Sequence, residues 1–286
     1  MKLASYLLDG APRFGLVLGN GLCDLTDRLR GRAESVDAVL RLNLLDELHR
    51  SAGQARVDLA FSDVHFLPPV VRPGKIVCVG INYRTRPGEF QRSEPPAYPS
   101  LFFRTPAAQV GHLEPLRRPP ESTQFDYEGE IALVIGRPGR RIAEAKALSH
   151  IAGYACFNEG SVRDWMRHGV YNVTAGKNFD ASGAFGPWLA TADEVRDPHN
   201  MTLRTRVNGE LVQEDSTANL LFPFEKLIAY VSTFSRLEVG DVIVTGTPTG
   251  AGAKRTPPRW LAPGDVVEVE VPEIGTLRNA VADESA

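Results

Sequence analysis

Glu128 and Glu130, in the segment FDYEGEIALVIG, are the first residues of this chain whose types and spacing suggest chemistry. In an extended strand, side chains two apart share a face, about 6 to 7 Å apart along the chain. That face continues through Ala132 and Val134, and the opposite face carries Ile131, Leu133 and Ile135. The strand is therefore predicted to be buried on both sides just beyond the two acids. At an effective dielectric near 20, like charges about 4 Å apart repel by roughly 4 kcal/mol. A divalent cation removes that repulsion and uses the oxygens as ligands. The chain also supplies a control. Glu268 and Glu270, in VVEVEV, have the same spacing and alternate with valines, as in an ordinary half-exposed strand. Spacing alone fits a surface ladder as well as a metal site.

A third acid follows an apolar strand in YACFNEGSVRDW, where Asn158, Glu159 and Gly160 lead into Ser161, Arg163 and Asp164. Glu159 would complete a three-carboxylate, all-oxygen site, which favours magnesium, manganese or calcium over zinc. Taken singly, Glu159 and Asp164 also read as capping or surface residues. Lys177, in TAGKNFDASGAFGPW, lacks the upstream Gly and the following Ser or Thr of a phosphate loop. Pointed at a cation, it would have a depressed pKa and could act as a general base. The run TGTPTGAG offers backbone amides and Thr247 for an anion pocket, or simply a turn. No Gly-x-Ser-x-Gly elbow, His-Glu-x-x-His or Gly-x-Gly-x-x-Gly after a strand is present, and the six histidines are scattered.

The elements that must position these residues are mostly strands. With 286 residues, 43% hydrophobic and 23% charged, the chain can form a substantial core in one large domain or two unequal ones. Lys and Arg number 32 against 35 Asp and Glu, a net charge of -3 with no basic stripe, so nucleic acid is not an expected partner. Cys23, Cys78 and Cys156 fit neither a disulfide framework nor a clustered zinc site, which points to a reducing compartment. No apolar run is long enough to span a bilayer, and MKLASYLLDGAPRF meets Asp9 and Pro12 too soon for a signal peptide. A cytoplasmic protein that binds no membrane is the expectation.

Residues 1–70 read as a small N-terminal domain, residues 71–281 as the main domain and 282–286 as a flexible tail. Tight turns are expected at Asp9-Gly10 and Asn20-Gly21. Val36, Leu40, Leu44 and Leu48, with Val39 and Leu45, predict one helix capped by Ser35. The segment FLPPVVRPGK, with Pro68, Pro69 and Pro73, is the expected boundary. Strand-like KIVCVGINY precedes RTRPGEFQRSEPPAYPS, which is too charged and Pro-rich for a packed element and reads as a lid or binding loop. Strands SLFFR, FDYEGEIALVIG, IAGYACFN and GAFGPWLAT follow, with one helix near AEAKALSHI. A hairpin at 203–213 around Asn208-Gly209, a helix near 223–235 and strands DVIVTG and DVVEVEV close the chain. Strands that outnumber helices without regular alternation disfavour a doubly wound nucleotide fold.

In order, KIVCVGINY, DYEGEIALVIG, FNEGSVRDW, GKNFD followed by FGPW, and GDVIVTGTPTGAG resemble the fumarylacetoacetate hydrolase superfamily, over about residues 72 to 280. The resemblance extends to its 2-hydroxyhepta-2,4-diene-1,7-dioate isomerase and acylpyruvase-like members. It implies an α+β, mostly β fold, a mixed β-sheet roll with a small N-terminal αβ domain, and a homodimer. It also implies Mg2+ or Mn2+, or Ca2+, held by Glu128, Glu130 and Glu159. By the same resemblance Lys177, Glu89 and Arg163 are catalytic, while Tyr83, Arg86, Arg163, Met166 and Thr247 meet the substrate, with Tyr83 and Glu89 in a mobile lid.

Three residues depart from the family pattern. Glu159 stands where an Asp is usual, Arg86 where the lid commonly has a His, and Met166 where a Gln is frequent. Arg stays protonated at every working pH, so Arg86 cannot activate water as a base, but it can clamp a carboxylate. Met166 points to a more apolar or larger substrate. The implied activity is divalent-metal-dependent hydrolysis of a C–C bond in a small anionic 2,4-dioxo acid, acylpyruvate- or fumarylacetoacetate-like. One alternative is an isomerase, hydratase or decarboxylase of a related 2-oxo acid working through an enolate. Another is a family member that has kept the fold as a binding protein.

Overall fold

A computed structural model describes residues 1–90, 94–170 and 172–284. Residues 91–93 of the predicted lid loop, and Ser285 and Ala286 of the predicted tail, lie outside the described residues.

The strand Gly129–Ile135 is buried at every position, as its apolar pattern on both faces requires. It pairs antiparallel with Ile151–Asn158, itself wholly buried, and with Val242–Val244. From there a 12-stranded sheet extends both ways. On one side Val242–Val244 is followed by Ile76–Gly80 and the edge strand Ser100–Arg104. On the other, Ile151–Asn158 is followed by Gly183–Thr191, Lys2–Leu8, Ala11–Leu18, Gly21–Asp24 and Leu59–Ala60. A second sheet of 5 strands contains the hairpin Thr202–Val207 and Glu210–Ser216, then Val266–Val271, Gly275–Asp283 and Leu116–Arg118. The mostly β, mixed-sheet class is the one expected.

The two faces of the central strand feed two cores. Ile131, Leu133 and Ile135 pack with Leu203, Val207 and Val269 of the second sheet and with Leu227, Ile228 and Val231 of the helix Phe224–Phe234. Ala132 and Val134 pack with Leu3, Phe14, Val36, Val39 and Leu40 from the N-terminal residues. Each fully buried aliphatic side chain contributes roughly 2 kcal/mol. Residues 1–70 are thus built into the large sheet, through Lys2↔Ala190 and Leu3↔Leu189, and share its core. The prolines of FLPPVVRPGK interrupt strands there without separating cores, and Val70 is buried in the shared one.

Local differences have local causes. The Val36-to-Leu48 stripe forms two helices, Val36–Arg41 and Leu45–Ala52, because Asn43 takes a left-handed conformation (φ 53°) that ends the first. Ser35 caps that first helix, accepting from the Ala38 amide at 3.1 Å. The second N-terminal turn is Gly19-Asn20, one residue earlier than expected. Gly19 takes the positive φ at the first central position, and Gly21 enters the strand opposite Leu18. The last strand continues to Asp283, so residues 282 and 283 are sheet and not tail. Among the described residues no helix is long and apolar enough to cross a membrane.

Candidate active site

The ladder that aligns Gly129 with Asn158 brings Glu128 and Glu159 together at one end of the large sheet. There the Glu159 amide donates to the Glu128 carbonyl at 2.8 Å. Glu128 itself lies between two strand pieces, Phe125–Asp126 and Gly129–Ile135, and its amide donates to Asn158 Oδ1 at 3.1 Å. One carboxylate oxygen from each of Glu128, Glu130 and Glu159 lies within 4.8 Å of the others. All three are nearly inaccessible, at 4, 1 and 2% exposure.

Cations crowd one of them. Arg86 Nη2 and Arg163 Nη2 each donate to Glu128 Oε1 at 2.8 Å, and Lys177 Nζ donates to Glu128 Oε2 and, at 2.6 Å, to Glu159 Oε2. Burial opposes ionisation of Glu128, but Arg163, Lys177 and Arg86 outweigh it and hold its pKa well below the usual carboxylate range. Glu130 has the opposite fate. Burial, then the charges of Glu159 and Glu128, push its pKa well above that range. Its partner is the Gly246 amide, 2.6 Å from Oε2. Gly246 has φ +101°, and a Cβ there would meet the Asn82 Cβ at 2.8 Å, so the loop reaches Glu130 only through a glycine.

The donor set fits a hard divalent cation. The three converging groups are all carboxylates, and Glu159 Oε1 is buried with no hydrogen-bond partner among the described residues. Above them opens a cavity of about 530 Å³. Arg86, Arg163, Lys177, Met166 and Thr247 line it with the three acids, and Leu101, Phe102, Phe103 and Val173 supply apolar wall.

Two expected site residues are placed elsewhere. Tyr83 is fully buried in the core and does not line the cavity, because the Asn82 side chain locks this turn to Phe222 and Thr245. Glu89 also stands back from the cavity. Its carboxylate accepts from Arg86 and, at 3.0 Å, from the Gly250 amide, so it serves to hold Arg86. Arg86 was expected in a loose charged loop; instead it opens a one-turn helix, Arg86–Glu89, and is buried. The amides of the Gly-rich loop and of Ala253 just after it are taken by carboxyl groups of the chain itself: Gly246 by Glu130, Gly250 by Glu89, and Gly252 and Ala253 by Asp126.

Three supporting residues went unread in the sequence. Asp126 accepts from Arg163 Nε at 2.7 Å; extending the period-two reading one step back from Glu128 would have found it. Gln213 accepts from the Gly129 amide and donates to Thr247 Oγ1, both at 2.9 Å, and Arg104 is buried beside the cavity. Both belong to strands remote in sequence, and nothing local marks them.

A roll of this kind, with its acids gathered at strand ends beneath one cavity, is the architecture that the motifs of the main domain implied. The chain belongs to the fumarylacetoacetate hydrolase family: the model described as fumarylacetoacetate (FAA) hydrolase C-terminal matches residues 75–282. Among its relatives, the mitochondrial oxaloacetate tautomerase fahd2 of Xenopus laevis is 42% identical over 282 residues, 95% of this chain and 86% of that protein. The solved structure of fumarylacetoacetate hydrolase from psychrophilic Exiguobacterium antarcticum superimposes with a TM-score of 0.82 at 32% identity, covering 99% of this chain and 100% of that one. Maleylpyruvate hydrolase from Sphingobium sp. SYK-6, solved with manganese(II) and pyruvate, gives 0.82 at 25% identity with both chains fully covered.

Proposed function

We propose that this chain is a divalent-cation-dependent enzyme that moves a proton on a small 2-oxo acid, interconverting the keto and enol forms of oxaloacetate or a close analogue. The observation that carries this reading is the placement of Lys177. It is a buried amine at the floor of the cavity, between Glu128 and Glu159, and able to carry a proton. The similarity to an oxaloacetate tautomerase supports it.

A cation held by Glu128, Glu130 and Glu159 would supply Lewis acidity toward the oxygens of a 2-oxo acid. The chain's own groups do the rest. Lys177, held as an ammonium by Glu128 and Glu159, gives its proton to the carbon of the enol and takes the enol hydroxyl proton in return. Arg163 and Arg86 bind carboxylate. Thr247 Oγ1 already accepts from Gln213, so its own proton is free to donate into the cavity. Water activation is poorly provided for: Arg86 cannot act as a base, and the Glu89 carboxylate is held by Arg86 and Gly250.

A second reading, hydrolysis of a C–C bond in a 2,4-dioxo acid, is favoured by the size of the cavity. A volume of about 530 Å³ with an apolar wall leaves room for a longer acyl group than oxaloacetate carries. The similarity to maleylpyruvate hydrolase supports it. The test is the decay of enol absorbance on adding the protein to enol-oxaloacetate with Mn2+. The expected result is a metal-dependent acceleration, lowered about a hundredfold or more in Lys177→Met. No acceleration, with acylpyruvates cleaved to fragments summing to substrate plus water, would install the hydrolase reading in its place.

A further inference from the structure

The edge strand Ser100–Arg104 ties together the two segments that carry Glu159 and Lys177. Its Phe102 ring lies under the Lys177 ammonium, 5.3 Å from centroid to Nζ. Arg104, two residues on and on the same strand face, is buried, with 3% exposure. Arg104 Nη1 donates to the Gly160 carbonyl at 2.7 Å, and Nη2 donates to Ser182 Oγ at 3.2 Å and to the Ala108 carbonyl at 3.4 Å. Gly160 follows Glu159 directly, and Ser182 lies in the turn after Lys177.

The same strand and Thr105 just beyond it hold the residue next to Lys177. Asn178 Oδ1 accepts from the Thr105 amide at 2.7 Å, and Asn178 Nδ2 donates to the Phe103 carbonyl at 3.2 Å. The junction has no slack. A Cβ on Gly160 would stand 1.7 Å from the Ser182 carbonyl oxygen, and one on Gly183 would stand 2.7 Å from Arg104 Nη2. A buried guanidinium is costly to desolvate, and a planar fork reaching three acceptors is what it offers in return that a lysine cannot.

We propose that Arg104 is a positioning residue: by clamping the Glu159–Gly160 turn to the segment behind Lys177, it sets the geometry in which the three glutamates hold a divalent cation. This rests on the reading of Glu128, Glu130 and Glu159 as cation ligands. The alternative roles of Arg104 predict different signs. As a mere positive charge near three acids, its removal would tighten cation binding, and Lys would replace it fully. As a substrate contact, its removal would raise KM and leave cation affinity alone.

The experiment is Mn2+ titration of the full-length protein, followed by the EPR signal of the free ion, with thermal unfolding and steady-state kinetics run alongside. Arg104→Met is expected to weaken Mn2+ binding about tenfold or more and to lower kcat with little change in KM. Arg104→Lys should recover only part of the loss. Unchanged or tighter Mn2+ binding in folded Arg104→Met, or full rescue by Lys, would overturn the proposal. Where Arg104→Met does not fold, Ser182→Ala, which removes one acceptor only, is expected to weaken Mn2+ binding about threefold, and an unchanged affinity there overturns it equally. Wild-type protein that binds no Mn2+ overturns the ligand reading as well; wild-type binding with an unaffected Arg104→Met overturns the role of Arg104 alone.

Discussion

The chain contains two Glu-x-Glu pairs of identical spacing, and the fold uses them in opposite ways. Glu268 and Glu270 stand on the second sheet with side chains 27 and 31% exposed. Each meets an arginine from a neighbouring strand: Glu270 meets Arg206 at 2.6 Å, and Glu268 meets Arg278 at 3.4 Å. Charge is matched strand by strand, with water outside. At the other pair, matching is collective and lopsided. Glu128 draws Arg86, Arg163 and Lys177, while Glu130 is left with one backbone amide. Spacing determines only that two carboxylates share a face. Whether that face meets water or a second layer of protein determines whether they form a ladder or a charge cluster able to hold a cation.

The sharpest way to break this contrast is Glu128→Gln. It removes the one negative charge that three buried cations share. The expected outcome is loss of Mn2+ binding and a fall in kcat of about a thousandfold, about 4 kcal/mol of barrier. Breaking a buried ion pair should also cost about 3 kcal/mol of folding stability. Mn2+ titration measures the binding, assays at the Mn2+ concentration that saturates wild type the turnover, and urea unfolding the stability. Near-wild-type turnover would remove the cluster from the mechanism.

How far these features could be read beforehand follows from how local their causes are. The burial of Gly129–Ile135 was legible because apolar residues on both faces of a strand have only one explanation, and the hairpin at Asn208-Gly209 because its turn chemistry is local. The three glutamates were legible as acids at strand ends, and Lys177 as a lysine among small residues, although it closes a one-turn helix, Thr174–Lys177. Arg86 was named as a substrate contact through the resemblance, but its burial was not legible: in a Pro-rich charged segment it looks solvated, and its partner Glu128, 42 residues away, explains why it is not. Arg104 and Gln213 act through backbone groups of distant segments, a relation that register and topology create and no window of sequence contains. The break at Asn43 escaped because a four-residue apolar repeat continues across it.

A smaller effect tests the ladder from beneath. The half-buried His112 accepts from the amide of Arg278, the arginine that pairs with Glu268, at 3.1 Å, and packs edge-on against Phe66. Burial, and then the Arg278 charge, lower its pKa from 6.5 to about 4. A depressed histidine pKa means the native state needs the neutral ring. Its contribution is complete above pH 6.5 and is lost as pH falls from there toward 4, by about 2 kcal/mol at pH 5. His112→Asn keeps an acceptor for the Arg278 amide but cannot titrate. The stability difference between pH 7 and pH 5, from denaturant unfolding, should therefore shrink by about that amount; an unchanged difference would mean the ring is not held neutral.

The smallest expected effect comes from the ladder itself. Glu270→Gln removes an acid that pairs with Arg206 on the neighbouring strand and lies 3.9 Å from Arg204 on the same strand. Both partners keep contact with water, so the pair is screened and its loss should cost less than about 1 kcal/mol. High salt should erase even that, since at 1 M the screening length is about 3 Å. Mn2+ affinity and turnover should stay within about twofold of wild type. A larger loss, or any loss of cation binding, would mean that the second sheet carries strain into the cavity through Gln213, which joins its hairpin to Gly129 and Thr247. The two Glu-x-Glu pairs would then be coupled parts of one site.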